Sequence, residues 1–118
     1  MSRPSGRKLA HELSNQLGIV ISYAELLLEE LGAADPNRRD IEAIDRASRR
    51  LQKLFEGVTS FDEVGEDARR QYAEQLRAVT QAGELVLKRS AATDPVATDM
   101  REVLKAAEAV ASLVASGR

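Results

Sequence analysis

Apolar residues recur near the start of the chain at alternating spacings of four and three. Leu13, Leu17, Val20, Ala24, Leu27 and Leu31 keep that rhythm, which puts all six on one stripe of an α-helix beginning after Pro4. The stretch GAADP then breaks it. Gly32 can close the first helix, Asp35 can cap the next, and Pro36 suits a first helical position, where its missing N–H is no loss. A second stripe runs through Ile41, Ile44, Ser48, Leu51, Phe55 and Val58, widened by Ala47 and Leu54, with Ser48 its one polar member. Together these predict a tight helical hairpin.

The pattern lapses across EGVTSFDEVGED, where Ser60 and Glu63 have the spacing of a capping box. A third helix is predicted to start between Ser60 and Asp67, to carry Tyr72, Leu76, Val79, Gly83 and Val86, and to end near Ser90. After AATDP, a fourth carries Met100, Val103, Val110, Leu113 and Val114. Sliding the chain by 59 residues brings Asp35-Pro36 onto Asp94-Pro95 without a gap. Gln16, Leu17, Val20, Glu25, Leu26, Leu28, Ala33, Asp40, Ala47 and Leu54 then meet identical residues at Gln75, Leu76, Val79, Glu84, Leu85, Leu87, Ala92, Asp99, Ala106 and Leu113. A repeated hairpin is the reading. One hairpin cannot bury its stripe alone, so two in one chain predict a single all-α domain over residues 1–118: an antiparallel four-helix bundle with hairpins at 1–59 and 60–118. Such a chain is expected to be a monomer.

Composition narrows the function. Aromatic residues make up 3% and charged residues 31% of 118 residues, as in a helical bundle. The net charge of -2 supplies no general basic field, which argues against nucleic acid and anionic membrane as partners. With no cysteine and one histidine, neither a Cys-based nor a His-rich metal site can form, and no bound cofactor is expected. No stretch reads as a signal peptide or approaches the roughly 20 apolar residues of a membrane span, which suggests a cytoplasmic protein.

The single histidine stands in LAHELSNQL, followed by YAELLLEEL and, on the second helix, IEAIDRASRRLQKL. His11 and Asn15, four residues apart, share one helical face, with Glu12 about a hundred degrees round. A neutral imidazole is a competent nucleophile near pH 7. From Lys8 to about Leu54 this run resembles the dimerisation and histidine-phosphotransfer domain of bacterial sensor histidine kinases, whose first helix carries H-[ED]-x-x-[NT]. The resemblance reaches the second half only through the internal repeat. It implies that His11 is a phosphoacceptor, Glu12 the acidic neighbour that helps deprotonate it, and Asn15 a residue that orients water for dephosphorylation of a response regulator. It further implies, as partners, a receiver domain carrying its own Mg²⁺ and a sensor histidine kinase. Gln16 departs from the proline many members have there, which bears on a helix kink rather than on the chemistry.

In the second hairpin Arg70, Gln71 and Glu74 stand opposite His11, Glu12 and Asn15, so one phosphoacceptor per chain is expected. Around the histidine, Ser14, Gly18 and Ser22 continue a strip of small residues, against Ala73, Arg77 and Gln81 in the repeat. A mid-helix glycine costs about 1 kcal/mol relative to alanine, an expense that a closely approaching partner would explain. Arg46, Arg49, Arg50 and Lys53 add a local basic group suited to an acidic receiver pocket. No Gly-rich phosphate loop or α/β alternation appears. The expectation is therefore a stand-alone histidine phosphotransfer protein that passes a phosphoryl group to or from a receiver aspartate, rather than an autonomous ATP-dependent kinase. The alternatives are a regulator phosphatase and a non-catalytic module that sequesters a receiver or kinase.

Overall fold

A computed structural model describes residues 6–58 and 64–116, the side chains of Gly6, Arg7 and Ser116 excepted. Four helices follow one another: α1 Gly6–Glu30, α2 Arg38–Phe55, α3 Glu66–Arg89 and α4 Pro95–Ser116. α1 packs against α2 and α4, and α3 packs against the same two, so α1/α3 and α2/α4 are the diagonals of an antiparallel four-helix bundle. The start of α3 falls inside the predicted window. The capping box at Ser60 and Glu63 lies outside the described residues.

The apolar stripes become the core. At the end of the bundle nearest the hairpin loops, Val20, Ala24, Leu27, Ile41, Ile44, Val79, Val86, Met100 and Val103 pack together. At the other end, Leu9, Leu13, Leu17, Leu51, Phe55, Tyr72, Leu76 and Val110 form a second cluster. The Phe55 and Tyr72 rings, 4.7 Å apart and tilted by 53°, join the two hairpins there. Positions 59 apart share their fate: Leu13 and Tyr72, Val20 and Val79, Ile41 and Met100, Ile44 and Val103, Leu51 and Val110 are all buried.

Turn chemistry repeats as well. The Asp35 carboxylate accepts a hydrogen bond from the Asn37 backbone N–H at 2.8 Å, and Asp94 accepts one from Val96 at 2.9 Å. Asp35 therefore caps a short turn, and α2 proper begins at Arg38. Gly32 does not take the left-handed backbone of a glycine cap. Instead the Arg38 guanidinium donates to the Leu28 and Leu31 carbonyls at 3.0 and 2.9 Å, satisfying acceptors that the end of α1 leaves open. The left-handed residue is Gly57, at φ 78°, just beyond α2. Leu31 and Val58, at helical spacing in the sequence, lie past the ends of their helices and are half-buried.

Two residues strain this core chemically. Ser48 is 0% exposed and its hydroxyl has no hydrogen-bond partner among the described residues, while Ala107 occupies the repeat-related position. Ser48→Ala is expected to raise stability by about 1 kcal/mol, seen as a higher urea midpoint at unchanged slope. Burial lifts the Tyr72 hydroxyl above the ordinary tyrosine range, opposed in part by the positive charge of Arg69. The folded state thus holds this proton more tightly than the unfolded chain, and the resulting stability is complete below about pH 10 and lost as pH rises through the folded value. Tyr72→Phe should therefore flatten the fall in unfolding free energy above about pH 10, measured by urea titration at successive pH values.

Candidate functional site

His11 lies two residues from Leu9 and two from Leu13, both buried, so it stands on the far side of α1 from the core. It is exposed and makes no hydrogen bond or ion pair with any described residue. Asn15 and Ser22 are exposed within about 40° of it round the helix, with half-buried Gly18 between them. This is the strip expected from the sequence. A Cβ built on Gly18 meets nothing within 4 Å, whereas one on Gly83 would fall 2.7 Å from Leu104 Cδ2. The second glycine answers to packing inside the bundle, and the first does not.

Glu12 is exposed, turned toward the α4 flank, and no hydrogen bond joins it to His11. Ser14 points the other way and lines an open cleft of about 370 Å³ between α1 and α2. The other walls of this cleft are Ala10, Leu17, Gln52, Phe55, Glu56, Gly57 and Val58. Gln52, Glu56 and Gly57 were invisible as site residues from the sequence, because only the antiparallel pairing of α2 with α1 brings them level with the histidine. A glycine just after an apolar stripe was the one available signal.

A second cleft of about 400 Å³ between α3 and α4 is lined by Arg69, Ala73, Leu76, Ala111, Val114 and Ala115. These are the positions 59 residues after Ala10, Ser14, Leu17, Gln52, Phe55 and Glu56. The shape is kept, but serine, glutamine and glutamate have become alanines. With Arg70 and Glu74 in place of His11 and Asn15, the second groove has no histidine beside it, and Arg69 is its one polar lining residue.

The basic residues of α2 do not act together. Arg49 bonds Asp45, one turn back on α2, at 3.1 Å and pairs with Glu25 across on α1, and both partners push its guanidinium further toward the charged form. Arg50 and Lys53 line a different cleft, on the α3 flank, with Leu54, Gln71 and Gln75. Arg46, one turn before Arg50, is exposed on that side of α2. The structure thus brings His11, Ser14, Asn15, Gly18 and Ser22 into one surface and draws Arg46, Arg50 and Lys53 away from it.

Among the described residues no group of three or more His, Cys, Asp or Glu side chains could hold a metal ion. No helix among them is long and apolar enough to cross a membrane. No curated protein and no solved structure matches the chain. The His Kinase A (phospho-acceptor) domain does, over residues 7–67, a segment that holds the whole first hairpin with His11 and ends just inside α3. Since that match spans more than half of the 118 residues, the chain belongs to the His Kinase A (phospho-acceptor) domain family, and its role lies in two-component signalling.

Proposed function

We propose that this chain is a histidine phosphotransfer protein in which His11 carries a phosphoryl group to or from an aspartate of a response-regulator receiver domain. The observation that carries this reading is the placement of His11: the one histidine of a phospho-acceptor family member is exposed, unpartnered, and beside a cleft. In the receiver-to-protein direction, an imidazole nitrogen attacks the phosphorus of the aspartyl phosphate. The N–P bond forms as the P–O bond to the carboxylate breaks, the carboxylate leaves with the electron pair, and the proton on the other ring nitrogen passes to Glu12 or water. The reverse transfer retraces these steps. The chemistry asks this chain mainly for positioning, and the receiver's Mg²⁺ for charge stabilisation.

The strip of Ser14, Gly18 and Ser22 supports docking, since it lets a partner helix approach α1 closely. The Asn15 amide, exposed on the same face, supports a second activity of that surface, in which it orients water against the receiver's aspartyl phosphate. The second hairpin then stands in for the partner subunit of a dimeric phospho-acceptor bundle. On this reading the chain acts as a monomer with one acceptor.

Radiolabelled phospho-receivers and phosphorylated kinases from the host cell provide the test. Label is expected on the wild type and not on His11→Ala. Asn15→Ala should keep transfer but slow release of free phosphate by about a hundred-fold. Transfer of label to His11→Ala would overturn the assignment. Receivers that bind equally well but never pass label to the wild type would reduce the protein to a sequestering module. Gly18→Ala separates docking from folding. It should stabilise the bundle by about 1 kcal/mol in urea while weakening receiver binding measured by calorimetry.

A further inference from the structure

The basic residues that leave the histidine surface form an arrangement of their own. Arg46, Arg50 and Lys53 follow one another at i, i+4 and i+7, a ladder along the α3-facing side of α2. All three are exposed, and none of their side chains makes an ion pair or hydrogen bond with any described residue. Several other arginines are used by the fold, although Arg39 and Arg77 are likewise exposed without a side-chain partner among the described residues. Arg38 closes α1, Arg49 pairs with Asp45 and Glu25, and Arg89 pairs with Asp40 across the α2–α3 junction.

The ladder borders a cleft of about 310 Å³ rather than a convex surface. Arg50, Lys53 and Leu54 form one wall, and Gln71 and Gln75 on α3 form the other. The nearby carboxylates do not neutralise it. Asp67, one turn before Gln71, lies 3.7 Å from Arg70, and Glu42, one turn before Arg46, and Glu74, one turn after Gln71, ion-pair with no described residue, so none of the three is drawn onto the ladder. The cleft therefore offers a guanidinium fork, an ammonium and two amides around an apolar floor. Those donors suit carboxylate side chains, which accept two bonds from a guanidinium and further ones from amides.

The fold does not require this charge. At the repeat-related positions on the α1–α4 flank stand Lys105, Ala109 and Ser112, facing Glu12 and Gln16. At these three positions α2 carries three basic residues and α4 one, in a chain whose net charge is -2. A patch this small, with a leucine at its base, matches a short protein segment better than the long uniform charge of nucleic acid or a lipid surface.

We infer that the α2–α3 cleft is a docking surface for an acidic protein segment, with Arg46, Arg50 and Lys53 receiving its carboxylates and Leu54 an apolar side chain between them. The surface is on the opposite flank of α2 from the His11 cleft, so it can be occupied while a receiver is docked at the histidine. It does not depend on the phosphotransfer reading. It gives the protein a place to be held by a second partner during its chemistry.

The test uses the full chain, isotope-labelled, and a twelve-residue peptide of aspartates and glutamates around one central leucine. At low ionic strength the peptide should shift the amide signals around Arg46, Arg50, Lys53, Gln71 and Gln75 and leave those around His11 and Ser14 in place. Arg50→Glu with Lys53→Glu should weaken binding roughly ten-fold or more, with unchanged circular dichroism and unchanged labelling of His11. Gln71→Ala, which alters no charge, should weaken it less. Equal affinity of the charge-reversed variant, shifts centred on the His11 strip, or tighter binding of single-stranded DNA or phosphatidylserine vesicles at the same residues would each overturn the proposal.

Discussion

Neither hairpin of this chain can keep its apolar stripe out of water except against the other, and that mutual burial governs everything else in the structure. Leu13, Val20 and Leu51 on one side and Tyr72, Val79 and Val110 on the other are almost wholly removed from solvent. Each such side chain contributes about 1.5–3 kcal/mol. The aromatic pair Phe55 and Tyr72 sits where α2 meets α3 and ties the hairpins at the end that also carries His11. The His11 side chain makes no hydrogen bond or ion pair with any described residue. Its position is set by Leu9 and Leu13, which anchor the first turns of α1 to the core.

The repeat supplies symmetry, which is kept inside the bundle and broken on its surface. Cores, aspartate caps and even the two interhelical clefts correspond at 59-residue spacing. The outer faces do not. His11, Asn15 and Gly18 correspond to Arg70, Glu74 and Arg77 in the other copy, and Arg46, Arg50 and Lys53 on α2 correspond to Lys105, Ala109 and Ser112 on α4. Residues that pack are constrained by their neighbours, whereas surface residues are constrained by what lies outside the bundle, so each copy can keep the fold and differ in chemistry. Gly18 and Gly83 express the contrast at single atoms. A side chain at Gly83 would strike Leu104, whereas at Gly18 it would meet open space.

Sequence periodicity identified all four helices and most of the buried positions, because each follows from helical geometry within one element, while Leu31, Leu54 and Val58 are half-buried. It expected Asp35 to cap the second helix, whereas Asp35 accepts the Asn37 N–H within the turn and α2 begins at Arg38 after Asn37. It misjudged the end of α1, where Gly32 seemed sufficient and Arg38 does the capping from the next helix. It also treated four basic residues as one group. Periodicity tells which side of its own helix a residue occupies, but not which helix lies beside that side.

Sequence by itself, then, determined an all-α bundle of two similar hairpins and singled out its one histidine, His11, through patterns confined to single helices and turns. The tertiary structure alone decided which flanks meet. The antiparallel order of the helices brings Gln52, Glu56 and Gly57 level with His11, joins Arg49 to Glu25, and turns Arg50 and Lys53 toward Gln71 and Gln75. Those pairings join residues far apart in the chain, and their geometry is settled only when both hairpins close on a shared core.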